Sequence, residues 1–306
     1  MKLSRRLSMQ KILQVGALAI AMVGMVMGAP ADSYAKKIKY KEIDVSNGGA
    51  IKGVAKWKGK IPKLPPVLVF KHQDICGQES FNPALIVDPS TKGVKFVAVY
   101  LVGVKEGKPL PEKVKKLKRD NPRVLHTGRD LEQRPDGMLC NFEEHVFAFV
   151  RSRKIGLFNV EDLLHNPHGF GMNGATRFNT PLPDRNRITV KKLRQVKGLT
   201  RLQCDAHVHM NAWMFGFNHP YFSITNAKGQ FEINDIPPGK YKVVAWHEGY
   251  NIKEFGSDNR PIYDDPHVIE REIEIKAGET IELNLEYPVR DTKVEWKVAS
   301  RVVAGH

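Results

Sequence analysis

The chain has 306 residues, a hydrophobic fraction of 42% and a formal net charge of +15. That length holds one large or two modest domains, and that apolar content excludes a globally disordered chain. The positive balance points to an anionic partner, whether nucleic acid, an acidic protein or an anionic surface.

In chain order, Lys2, Arg5, Arg6 and Lys11 form a positive start, and residues 15–29 are an uncharged apolar run. Small residues at Ser33 and Ala35 then offer a cleavage site before Lys36. Residues 1–35 therefore read as a signal peptide, with an uncleaved anchor as the alternative. The expected location is periplasmic or otherwise exported. Cleavage removes four cationic residues and Asp32, which leaves a net charge of +12. Export argues against nucleic acid and leaves an acidic protein or an anionic surface. The basic residues concentrate over 105–134, above all over 113–119, where a solvated loop is the plainer reading.

Residues 36–48 are a polar lead-in. Residues 49–57 (GAIKGVAKW) alternate as a strand does, and a Pro-rich turn follows. Residues 93–104 (GVKFVAVYLVGV) carry the strongest strand signal, and 105–135 read as a charged, irregular insert. Residues 140–150 (CNFEEHVFAFV) are strand-like, and 187–199 alternate weakly. Beyond Phe222, Asn226-Ala-Lys-Gly229 gives a hairpin signal and Pro237-Pro-Gly239 a turn. Lys276-Ala-Gly-Glu279 turns into a last strand over 280–287. No segment sustains a helical period, so the predicted class is all-β, of sandwich type.

Cysteine occurs at positions 76, 140 and 204. An odd count outside the cytoplasm leaves at least one thiol without an intrachain disulfide. Cys204 has a chemical reason to be that thiol, which makes Cys76 and Cys140 available to pair with each other. It lies in Gln203-Cys-Asp-Ala-His-Val-His-Met-Asn211. A thiolate, an imidazole and a thioether at Cys204, His207 and Met210 can converge from one tight turn. Soft sulfur ligands select copper, and two imidazoles, one thiolate and a long axial Met make a type 1 copper site. The second imidazole must come from elsewhere, and Leu164-His-Asn-Pro-His168 supplies it. The predicted ligands are His165, Cys204, His207 and Met210, with His168 and His209 as competitors. Zinc fits poorly because Met is a poor zinc ligand. His145 is a weaker candidate, either near the metal or purely structural.

These residues resemble the ligand set of cupredoxins, the plastocyanin and azurin group. There an early His followed by Asn is one ligand, matched here by His165-Asn166. A late loop supplies Cys, His and Met in that order, matched by Cys204, His207 and Met210. A methylamine-utilisation-like subset of exported bacterial proteins joins such a loop to a phrase seen here as His219-Pro-Tyr-Phe, Gly229, Pro237-Pro-Gly and Trp246-His-Glu248. The likeness to that subset runs over roughly residues 49–290. The subset often has Pro-Trp where this chain has Val208-His209.

Residues 222–250 further resemble a transthyretin-like, carboxypeptidase regulatory-like β-sandwich, usually non-catalytic. Trp246-His247-Glu248 is read as packing plus surface, since consecutive strand residues face opposite sides. The resemblances imply a Greek-key cupredoxin β-sandwich combined with this second sandwich. The implied division is a signal peptide over 1–35, first sandwich strands over 49–104 and a cupredoxin-like copper domain over 136–215. The rest of the first sandwich follows over 216–290, then a tail over 291–306. The copper portion would be inserted, and a tandem arrangement stays open.

The expected function is one-electron transfer by an exported copper protein that is not an enzyme. Its expected partner is an acidic exported redox protein, such as a cytochrome or dehydrogenase. Neither nucleic acid nor a small-molecule substrate is expected. Copper storage or delivery, or a structural or ligand-binding β-sandwich, are the alternatives.

Overall fold

A computed structural model describes residues 39–128 and 140–288. The expected signal peptide and the 291–306 tail lie outside the described residues. Twenty strands are named here in chain order: β1 (Gly49–Trp57), β2 (Val67–Leu68), β3 (Glu79–Ser80), β4 (Ala98–Val102) and β5 (Val124–Thr127). Then come β6 (Val146–Val150), β7 (Ile155–Asn159), β8 (Pro167–Gly171), β9 (Thr176–Asn179) and β10 (Ile188–Lys191). They are followed by β11 (Gly198–Cys204), β12 (Asn211–Phe217), β13 (Phe222–Ile224), β14 (Gln230–Ile236) and β15 (Gly239–His247). The last are β16 (Ile252–Phe255), β17 (Pro261–Tyr263), β18 (His267–Ile275), β19 (Thr280–Glu282) and β20 (Leu285–Tyr287). The single helix of the described residues is one turn, α1 (Gln73–Cys76).

The strands build four layers. Sheet I runs β13-β4-β15-β18, and sheet II runs β14-β1-β19 with β20 also on β1. Their facing sides enclose a core that includes Ile51, Val99, Leu101, Ile233, Val243 and Ala245. Sheet III runs β9-β8-β11-β12-β6, and sheet IV runs β10-β7-β5. Between them lie Leu125, Phe147, Phe149, Leu157, Leu202 and Met214. The strands over 124–217 thus pair among themselves, while β1 and β4 pair with strands after residue 222.

A third apolar cluster joins the two sandwiches. Ala98, Tyr100, Val244 and Trp246 of sheet I pack on Val146, Phe215 and Phe217 of sheet III. This explains why β4, β6, β12 and the second half of β15, from Val243 on, are largely apolar: successive side chains enter different cores, so neither face meets water. In contrast, β14 (QFEINDI) alternates, with Phe231, Ile233 and Ile236 inside and Glu232 exposed.

Several expectations need correction. The 105–135 insert contains β5, which pairs in parallel with β7. The turn at Asn226–Gly229 forms, with Gly229 N donating to Asn226 O, but it is not a hairpin. Its flanking strands β13 and β14 belong to different sheets, paired with β4 and β1 respectively. Trp246, His247 and Glu248 do face alternate sides, yet all three are buried, so none is a surface residue.

Candidate metal centre

β11 ends at Cys204 and β12 begins at Asn211, with Gln203 opposite Asn211 in register. The connecting loop is therefore a hairpin turn closed by the ladder. Cys204 N donates to Met210 O at 3.2 Å, and Met210 N donates to His207 O at 3.1 Å. His165 lies between β7 and β8, where its backbone bridges Leu182 in both directions. β8 pairs with β11 so that Pro167 faces Cys204, which delivers His165 to the loop.

His165, Cys204 and His207 converge into a buried cluster able to hold a metal ion. Cys204 Sγ lies 4.0 Å from His165 Nδ1 and 3.8 Å from His207 Nδ1. Bonds of about 2.3 Å to thiolate and about 2.0 Å to imidazole, opened to a trigonal angle, put sulfur and nitrogen about 3.7 Å apart. The donor set thus fits around one small ion. Exposure is 0% for His165 and Cys204 and 1% for His207. Met210 is equally buried, in the same apolar cluster as Cys204.

The electrostatics suit metal uptake. Burial drives the His165 imidazolium down, but Cys204 and Glu161 outweigh it and raise the group to about 9. Burial pushes the Cys204 thiol up, yet His165 and the Asn166 N–H bring it below its ordinary value. Burial and the imidazoles of His165, His209 and His72 hold His207 at about 3. A thiolate and a neutral imidazole are the forms that bind metal, and an ion takes the place of a shared proton.

Surrounding groups orient these side chains. His165 Nε2 lies 2.8 Å from Glu161 Oε2, which leaves Nδ1 toward Cys204. The other oxygen of Glu161 accepts from Cys140 N. A Cβ on Gly128, whose φ is +110°, would strike the Glu161 carboxyl, so glycine makes room for it. Asn166 N donates to Cys204 Sγ at 3.3 Å, and its side chain reaches Asp205 at 3.3 Å. Asn166 therefore ties the two ligand segments together. Arg260, in the turn between β16 and β17, donates to the carbonyls of Cys204 and Val208 at 2.8 and 2.9 Å. His72 Nδ1 lies 2.9 Å from His207 Nε2.

The competing histidines lie outside the cluster, His168 with both ring nitrogens engaged and His209 with Nδ1 buried and unpartnered. His168 holds Asp205 through Nδ1 and Thr176 through Nε2. His209 Nε2 lies 2.9 Å from the Cys140 carbonyl oxygen. His145 sits outside the cluster, with Nδ1 on Asn211 O and Nε2 on Glu248. Cys76 and Cys140 form a disulfide, and Cys204 is the free cysteine. A second convergence, His126 with Glu143 and Glu144, contains no sulfur. Burial lowers the His126 imidazolium, but the two carboxylates outweigh it and raise the group, as in an ion pair.

Glu161, Arg260 and His72 escaped the sequence reading. Glu161 had one faint signal, a carboxylate four residues before a candidate ligand; the other two had none. No protein-family model matches the chain, and no curated protein matches it.

Proposed function

We propose that the chain is an exported copper protein that transfers single electrons, with copper held by His165, Cys204 and His207 and Met210 as the weak axial ligand. The observation that carries this reading is the buried convergence of two imidazole nitrogens on one thiolate sulfur at 4.0 and 3.8 Å. Two imidazoles, one thiolate and a nearby Met suit copper better than zinc. The hairpin origin of Cys204, His207 and Met210, with His165 arriving from an upstream loop, supports a cupredoxin-like Greek-key second sandwich. The first sandwich would then be the transthyretin-like scaffold, as the split of β1 and β4 from β13–β20 supports. The Cys76–Cys140 disulfide favours an oxidising, exported location.

A buried, ordered ligand set suits electron transfer because little has to move between oxidation states. The net charge, +15 for the whole chain and +12 without residues 1–35, favours an acidic redox protein as partner, such as a cytochrome or dehydrogenase. Exposed Leu68, Phe70, Ile75 and Phe81 lie on the segment that carries His72 and offer apolar contact area for it.

The test is copper loading of purified protein. Cu(II) should give an intense visible thiolate-to-copper band and a reversible one-electron couple. Cys204→Ser should abolish the band while the far-ultraviolet circular dichroism stays that of a folded β protein. Failure to bind copper overturns the reading, and a colourless protein that binds only Cu(I) replaces it with copper delivery.

A further inference from the structure

His207 is almost fully buried, with 1% of its surface exposed. Nδ1 faces Cys204, and the opposite nitrogen, Nε2, meets Nδ1 of His72 at 2.9 Å. The two ring centroids are 5.1 Å apart. His72 itself is exposed.

The placement of His72 is held against local cost. Its φ is +54°, in the left-handed region. For a residue with a Cβ that conformation is disfavoured by contact with the following carbonyl oxygen. The surrounding turn maintains it. Ile75 N and Cys76 N both donate to His72 O, at 3.0 and 2.7 Å, and Gln73 Nε2 donates to Val69 O at 2.6 Å. Cys76, the last residue of α1, is bonded to Cys140. Cys140 in turn donates its N–H to Glu161 and meets His209 with its carbonyl. The disulfide thus fastens the turn that carries His72 to the residues flanking the metal ligands.

We propose that His72 is a positioning residue for the metal centre: it accepts the Nε2–H of His207, fixes the plane of that ring and closes its outer edge. This rests on the copper reading. An imidazole bound to metal through Nδ1 keeps its proton on Nε2, so His207 becomes a donor and His72 Nδ1 its acceptor. Such outer partners of ligating histidines set ring orientation and ligand basicity.

The test begins with the 15N-labelled full chain, without metal and loaded with Cu(I). A nitrogen–nitrogen coupling across the hydrogen bond should connect His207 Nε2 to His72 Nδ1 in both forms. In the Cu(I) form the proton should reside on His207. Two variants follow. His72→Leu should weaken metal binding about tenfold, the lower end of the effect expected for such a partner. His72→Asn, whose Oδ1 can accept the same proton, should restore wild-type affinity. Absence of the coupling overturns the role of His72 whatever the metal does, and so does identical behaviour of the Leu and Asn variants. A coupling present in a protein that binds no copper overturns the copper reading alone.

Discussion

Two buried histidines each lean on a buried glutamate, one pair inside the second sandwich and the other where the sandwiches meet. In the first, His165 gives Nε2 to Glu161 and turns Nδ1 toward a sulfur. In the second, His145 gives Nε2 to Glu248 and Nδ1 to the carbonyl of Asn211. The carboxylate is common to both, so it does not make a ligand. What differs is the atom facing the other nitrogen. Cys204 leaves the His165 lone pair for a metal, whereas the Asn211 carbonyl engages the His145 ring fully. Trp213 Nε1 also donates to Glu248 at 2.7 Å, which fixes that pair as a peg between sheets I and III.

Exchanging each carboxylate for its amide sharpens the contrast, and the largest effect is expected here. Glu161→Gln should cost 10–100-fold in copper affinity, the range typical of groups that orient metal ligands. Glu248→Gln should leave copper affinity within about twofold. It should instead lower unfolding free energy by about 1–3 kcal/mol, because it weakens a buried hydrogen-bonded group. Copper titration and urea denaturation of both variants read the two quantities. Equal loss of copper affinity in both would mean that the two pairs serve the metal alike, and would break the comparison.

How far the sequence spoke for itself follows the same line. Cys204 and His207 stand three residues apart, so a local turn sufficed to bring them together, with Met210 buried at the end of the same turn. Choosing His165 over His168 required knowing that His168 faces Asp205 and Thr176, contacts made by strand pairing. Arg260 and His72 reach the centre from separate segments and are ordinary surface residue types, so no spacing marks them, and Glu161 had only its place four residues before His165. The all-β class was legible from alternating runs such as β1 and β14. The full burial of Trp246, His247 and Glu248 was not, because a strand between two cores carries no alternation to read. β5 was hidden for another reason: its four residues follow a basic stretch and owe their strand state to β7.

Arg260 offers a smaller test of whether the first-sandwich side contributes to the metal at all. It stands between β16 and β17, outside the second sandwich, yet its guanidinium bonds the carbonyls of Cys204 and Val208. Asp258 holds its Nε at 2.7 Å. Arg260→Met keeps much of the apolar stem and removes the donors. Copper affinity should fall by up to about tenfold, since the lost charge-assisted bonds hold the backbone of the loop rather than the side chains that face the ion. Hydrogen exchange should rise across residues 204–210 and stay unchanged in β1 and β15. An unchanged exchange pattern would mean that the ladder between β11 and β12 alone holds the loop.

The smallest effect concerns buried histidines that face no thiolate. His219 and His247 belong to the first-sandwich side, and burial lowers each to about 4. A histidine depressed in the fold is protonated first in the unfolded chain, so acidification favours unfolding. Stability from such a group is complete above its unfolded value near 6.5 and drains away as pH falls toward about 4. His126, raised by its two carboxylates, works in the opposite sense, so the total slope mixes both. The clean comparison is wild type against His219→Asn, whose Oδ1 can still accept the Tyr221 N–H that His219 Nδ1 accepts at 3.2 Å. Between about pH 7 and about pH 5.5 the wild type should lose about 1 kcal/mol more than the variant in urea denaturation. The same substitution should leave copper binding unchanged. Parallel pH profiles would show that His219 is not the neutral, structural histidine that its burial demands.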